Sequence, residues 1–274
     1  FDAFAEDIRK VQQVAPLLDI AERQQSRAAM IFPFHDRLYR QPAHYLPEGY
    51  KGLGFYGAEQ RPIDTVWPYH MASINVAELI FRAFGEVDVV DQRALRDDAL
   101  SGYGAFVLTG TDYMDESDAK AIRSFVEKGG ALVCDHVPSH SLSGKALRIL
   151  DPLFRASPES FYRDVSVARD AFGDGATLLF SHDLQDLYSS SVEQNNLQRR
   201  HRIKDTIRAF LHGHGLRPSV RSSHYEIEAN LLSTPDTLVL VAVNHAETRQ
   251  QARLTLFAPA LPITCAFDLV TMAP

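Results

Sequence analysis

Cysteine is scarce in this chain. Its 274 residues include two, Cys134 and Cys265, far apart and outside any CxxC or Cys/His grouping. That excludes a disulfide framework and gives no zinc-finger spacing. Two reduced thiols packed in strands are the expectation. Long apolar runs are missing too: none approaches the ~18 residues that a membrane-crossing helix needs. No charged, apolar and small-residue leader opens the chain. A cytoplasmic protein without membrane contact is expected. Basic residues are outnumbered, 28 Lys and Arg against 35 Asp and Glu, for a net charge of −7. A chain of that sign is a poor general binder of nucleic acid. There is no internal repeat and no low-complexity tract.

What is present is a core. Hydrophobic residues make up 45% of the chain, a proportion typical of globular domains rather than disordered ones. Residues 2–24 carry Phe4, Ile8, Val11, Val14, Leu17 and Leu18 at the spacing of one helix face, interrupted by Pro16. "AAMIFPF" is of strand length. "PYHMASINVAELIFRAF" reads as a helix, "EVDVVDQ" and "GAFVLTG" as strands. "DESDAKAIRSFVEKGG" is a helix with Asp115 and Asp118 near its start and Gly129-Gly130 as its left-handed stop. In it Ala119, Ile122 and Val126 share one face, with Lys120, Arg123 and Glu127 toward water. "ALVCDHV" and "ATLLFSH" are further strands. "RHRIKDTIRAFLHGHG" is a further helix with Ile203, Ile207, Phe210 and Leu211 inward. Strands alternating with helices predict an α/β fold: a doubly wound, mostly parallel sheet covered on both faces. After Pro218 the helices cease. "YEIEANLLS", "TLVLVAVNH", "QARLTLFAP" and "TCAFDLV" predict a small antiparallel β domain. The expected divisions are a leading helix over 1–25, the α/β domain over 26–217, and the β domain over 218–274, ending within its strand pattern.

The succession of a leading helix, "AAMIFPF", "DTVWPYHMASINVAELIFRAFGEVDVVD", "GAFVLTGTDYMDESDAKAIRSFVEKGGALVCD" and the Val/Leu-rich tail resembles the trimerisation domain of glycoside hydrolase family 42 β-galactosidases, with the start of that family's C-terminal β domain. The resemblance overlaps with the class I glutamine amidotransferase-like superfamily. It implies an amidotransferase-like or flavodoxin-like sheet, a homo-oligomer that is a trimer, and a catalytic barrel ahead of Phe1 that binds the carbohydrate. No cofactor and no metal are expected. The leading helix would be the end of that barrel. Retaining glycosidases use two carboxylates about 5 Å apart, and no such pair can be named here. The expected role is therefore a non-catalytic assembly module.

The alternative is a free-standing amidotransferase-like hydrolase using Cys134, with His136 as base. The superfamily's nucleophile elbow resembles G-x-C-x-G. Here Cys134 stands in "LVCDHVPSH", flanked by Val133 and Asp135 with no glycine within three residues. Pro138 occupies the place where a helix should begin. A carboxylate beside the thiol opposes its ionisation. His140 is a second candidate base, and His224 with Glu226 match the superfamily's His-x-Glu spacing, beyond the expected boundary.

Three other groups stand out. Asp135, His136 and His140 form D-H-x-x-x-H, which suits a zinc-like ion or, more plainly, a polar loop at the C-terminal edge of a sheet. His35, Asp36, Tyr39, Trp67, Tyr69 and His70 form an aromatic and polar set around a Tyr/Gly/Pro-rich loop over 35–66, suited to an interface, a core or a sugar face. Arg199, Arg200, His201, Arg202 and Lys204 are a basic cluster, expected as a solvated helix face or a subunit contact.

Overall fold

Short apolar runs flanked by helices build most of the molecule. The computed structural model describes residues 15–16, 19, 21–23, 26–33, 67–97, 99–162, 165–224, 226–234, 237–244, 248 and 250–257, with the backbone alone at 22–23, 67–74, 94, 96–97 and 193. In chain order the strands are β1 (Glu22–Arg23), β2 (Ala28–Phe32), β3 (Asp88–Asp91), β4 (Ala105–Leu108), β5 (Tyr113–Met114), β6 (Ala131–Cys134), β7 (His140–Ser141), β8 (Glu159–Tyr162), β9 (Val165–Phe172), β10 (Gly175–Phe180), β11 (Val220–Ser222), β12 (Ile227–Ser233), β13 (Leu238–Asn244) and β14 (Leu254–Leu256). The helices are α1 (Trp67–Phe84), α2 (Glu116–Glu127), α3 (Leu184–Glu193) and α4 (Leu197–Gly213).

Seven strands form one mixed sheet in the order β3-β2-β4-β6-β10-β9-β8. The first five are mutually parallel, and β9 and β8 continue antiparallel. β4 and β6 are buried at every residue, as central parallel strands must be when both faces are covered. Alternate residues then feed two cores. Ala28, Met30, Val107, Val133 and Leu178 face α1, α3 and α4 through Leu79, Ile80, Tyr188, Ile203 and Ile207. Ala29, Ile31, Phe106, Leu108, Leu132 and Cys134 face Ile122 and Val126 of α2, with Leu95, Leu147 and Leu153 completing that side.

Helix α2 shows why local sequence and packing agree. Asp115 caps it by accepting from the Ser117 N–H at 3.0 Å. Gly129, at φ 106°, turns the chain out of the helix in the left-handed region that favours glycine. Ala119, Ile122 and Val126 are buried as expected. Arg123 is half-buried, its guanidinium 5.3 Å from the Phe172 ring centroid, because β9 brings an aromatic face within reach of its stem. The end of α2 seats tightly on the β9–β10 turn. A Cβ at Gly175 would strike the carbonyls of Val126 and Gly130.

The chain divides into two compact units, residues 26–217 and residues 1–25 with 218–274. In the second unit β1, β12 and β13 form an antiparallel sheet, and β11 pairs with β14. Val220, Ala229 and Leu231 form its core. Glu22 and Arg23, expected as the tail of the leading helix, are instead a strand pairing with Ser233 and Leu232. No apolar residue of the helix face lies in "ERQQ", so ladder hydrogen bonds to β12 outweigh helix propensity there. The helix-face residues Phe4 to Leu18 lie outside the described residues, as does "TCAFDLV". Of three further elements, α3 and the strands β8 and β9, α3 carried a legible signal in its Asp183 cap, and β9 only a brief alternation in Val165, Ser166 and Val167. Among the described residues no helix is long and apolar enough to cross a membrane.

Candidate functional site

β4 and β6 lie side by side, with Leu108 opposite Cys134. Their C-terminal ends release residues 109–112 and 135–140 at the same edge, the edge where open parallel sheets hold ligands. Two carboxylates divide it. Asp135 turns inward and Asp112 turns outward.

Asp135 is 6% exposed. Its Oδ2 accepts from the Thr109 hydroxyl at 2.6 Å and from the Leu184 N–H at 3.0 Å, and its Oδ1 accepts from the Gly110 N–H at 3.0 Å. Gly110 presents that N–H from a left-handed conformation, φ 57°. Burial, followed by the charge of Asp183, pushes the Asp135 carboxyl up to about 6 despite those three donors. Asp183 caps α3 by accepting from the Gln185 and Asp186 N–H groups at 2.7 and 3.2 Å. Its own carboxyl is raised, chiefly by burial.

Asp112 is a hub. Its Oδ1 meets the His136 Nε2 at 3.2 Å and accepts from the Ser139 hydroxyl at 2.6 Å and the Ser139 N–H at 3.3 Å. Its Oδ2 meets the His140 Nδ1 at 3.2 Å. Its backbone carbonyl accepts from the Ser139 and His140 N–H groups. Burial opposes its charge, but the hydrogen bonds from Ser139, His136 and His140 together hold it well below the usual carboxylate range. The Tyr113 ring stacks on His140 at 5.2 Å between centroids.

Ser139, His140 and Asp112 have the composition of a hydrolytic triad but not its connectivity. A triad needs the serine on one ring nitrogen and the carboxylate on the other. Here Ser139 Oγ, at 2.8 Å, and Asp112 both address His140 Nδ1. Cys134 is fully buried and its thiol donates to the His136 carbonyl at 2.9 Å. Burial, and then the charge of Asp135, push that thiol up. The arrangement disfavours the thiolate that nucleophilic chemistry requires.

The D-H-x-x-x-H set does not converge. Asp135 joins Thr109, Gly110 and Leu184, whereas His136 and His140 share Asp112. Among the described residues no group of three or more His, Cys, Asp or Glu side chains is arranged to hold a metal ion. His224 accepts from the Glu226 N–H at 3.2 Å through its Nδ1, within a turn of the second unit. In the basic cluster, Arg199 and Arg202 lie over the Tyr162 ring at 5.8 and 5.9 Å, and Arg202 also over Phe161 at 5.5 Å. His201 and Arg202 are exposed and Arg199, Arg200 and Lys204 half-buried, so the cluster is a largely solvated helix face that also touches the rings of β8. His35, Asp36 and Tyr39 lie outside the described residues. Trp67, Tyr69 and His70 fall in the first turn of α1, where the side chains lie outside them as well. Asp112, Ser139 and Asp183 escaped sequence reading. A search of both adjacent strand ends, "LTGTD" as well as "CDHVPSH", finds the first two.

No family model and no curated protein matches this chain. Solved structures do. A catalytic mutant of Gan42B, a GH42 β-galactosidase from G. stearothermophilus, superposes with a TM-score of 0.58 at 13% identity, over 91% of this chain and 38% of that one. A β-galactosidase from Bacillus circulans sp. alkalophilus gives 0.55 at 13% identity, over 86% and 38%. The cold-adapted β-galactosidase from Rahnella sp. R3 gives 0.51 at 14% identity, over 81% and 36%. At such identities the likeness is one of fold. This chain spans well under half the length of each.

Proposed function

We propose that this chain is the non-catalytic assembly module of a β-galactosidase-like glycoside hydrolase, forming a homotrimer and working beside a carbohydrate-binding barrel. The observation that carries this reading is the extent of the fold likeness. It covers 91%, 86% and 81% of this chain but 38%, 38% and 36% of the three β-galactosidases, so the module corresponds to a part of such an enzyme. The five parallel strands, numbered along the chain, run in the order 2-1-3-4-5, which suits a doubly wound, flavodoxin-like or amidotransferase-like domain over residues 26–217. The buried, charge-opposed thiol of Cys134 speaks against the free-standing hydrolase. On this reading residues 1–25 close a preceding domain, residues 218–274 open a β domain, and the protein works in the cytoplasm without cofactor or metal.

The test is a longer chain that includes the residues encoded ahead of Phe1. Hydrolysis of a chromogenic β-galactoside by that chain, and none by residues 1–274 alone, is the expected result. Amide hydrolysis by residues 1–274 that disappears in Cys134→Ala would sink the proposal.

A further inference from the structure

Among the described residues β3 and β8 are the outer strands of the seven-stranded sheet. Within residues 26–217 three large apolar side chains are exposed there: Val89 at 55%, Val192 at 46% and Leu197 at 50%. Single apolar side chains on a surface need no explanation, but these three do not scatter. Val89 lies on β3. Val192 and Leu197 flank the turn between α3 and α4, which is tied to β8 by the Asn196 Nδ2 group donating to the Tyr162 hydroxyl at 3.4 Å.

That turn is held firmly. The Asn195 and Asn196 N–H groups donate to the Val192 and Ser191 carbonyls at 3.0 and 2.7 Å. Asn195 takes φ 48°, a left-handed conformation uncommon outside glycine. The two edges also differ in charge. Residues 191–204 carry Arg199, Arg200, Arg202 and Lys204 against Glu193, four minus one, a formal +3. Arg199 and Arg202 lie over the Tyr162 ring, and neither meets a carboxylate among the described residues. Residues 88–98 carry Arg93 and Arg96 against Asp88, Asp91, Asp97 and Asp98, two minus four, a formal −2. Arg93 pairs with Asp91 at 2.6 Å, and the excess stays acidic.

We propose that the α3–α4 turn of one copy docks on the β3 edge of a second copy, a head-to-tail contact between opposite edges of the same sheet. This rests on the homo-oligomer reading above and names its surfaces. Leu197 and Val192 cover Val89, and Arg199 and Arg202 face the acidic edge. Arginine and tyrosine are enriched where interfaces hold most strongly, and a turn already held loses little freedom on docking. Two β3 edges, or two turns, would bring like charges together. The contact therefore joins unlike surfaces and repeats from copy to copy until a ring closes.

Light scattering of residues 1–274 at about 100 μM tests this. The natural chain should exceed the monomer mass. Val89→Arg and Leu197→Arg should each be monomeric, with unchanged circular dichroism. Mixed in equal amounts they should form a dimer and nothing larger, because each supplies the edge that the other lacks. Arg202→Glu should weaken self-association about tenfold. An unchanged mass in either single variant, or a mixture that stays monomeric, overturns the proposal. If Val89→Arg does not fold, Arg202→Glu decides in its place, and unchanged association there overturns the proposal. A natural chain that is monomeric at this concentration overturns the edge contact too. The homotrimer reading is then judged apart, by the mass of the module joined to a catalytic barrel.

Discussion

Asp112 and Cys134 occupy neighbouring strand ends and illustrate opposite uses of a polar side chain. The Cys134 thiol spends its one donor on the His136 carbonyl inside the core. Cys134→Ala should cost about 1–2 kcal/mol in urea unfolding, the range for losing a small buried group and one weak hydrogen bond, and, on the proposed reading, should leave the turnover of the proposed glycoside hydrolase within a few-fold. A thousandfold loss of turnover with unchanged stability would make the thiol a nucleophile. Asp112 instead holds two imidazoles and a serine in place. Its carboxyl is depressed in the folded chain, so the stability it contributes is present above the ordinary value of 3.8 and is lost as pH falls below it. Asp112→Asn should lower stability at pH 7 by about 1–3 kcal/mol and flatten the loss below pH 4. Unfolding midpoints at pH 3, 4.5 and 7 give the comparison, and an equal deficit at all three would contradict it.

At the scale of elements, α2 is where periodicity can be checked most sharply. Ile122 is fully buried against the sheet, whereas Glu127 is exposed. Ile122→Ala should cost about 2–4 kcal/mol through lost burial and a residual cavity. Glu127→Ala should cost less than about 0.5 kcal/mol. Denaturant midpoints that move equally for the two would mean the helix face is assigned wrongly. The same helix shows a limit of pattern reading. Arg123 repeats with the polar face yet lies on Phe172, because side-chain stems follow whatever aromatic surface a neighbouring strand presents.

At the scale of the whole molecule the open matter is assembly. On the proposed reading, this module joined to a catalytic barrel is expected to give a trimer mass in light scattering at micromolar concentration. Phe55 and Tyr56 lie in a stretch of sequence that also carries Tyr39, Tyr45 and Tyr50, outside the described residues, and aromatic residues favour interface centres. Changing both to Ser should shift the mass toward monomer. A strictly monomeric natural chain would refute the trimer.

Much of this architecture was decided by sequence alone. Continuous apolar runs such as AFVL and ALVC dictate buried parallel strands, because only a sheet covered on both faces leaves no side of them wet. The Asp115 cap, the Gly129 stop and the 3.6-residue spacing of Ile203, Ile207 and Leu211 dictate helices where they occur. These are local effects, carried by residues within one or two turns of each other. The tertiary structure decided what depends on neighbours distant in sequence. It took Glu22 and Arg23 from a helix tail into a ladder with residues more than two hundred positions away. It split Asp135 from His136 and His140, sending one to Leu184 and the others to Asp112. Successive strand-end side chains point to different partners, and spacing along the chain does not say which strand or helix end will stand opposite them.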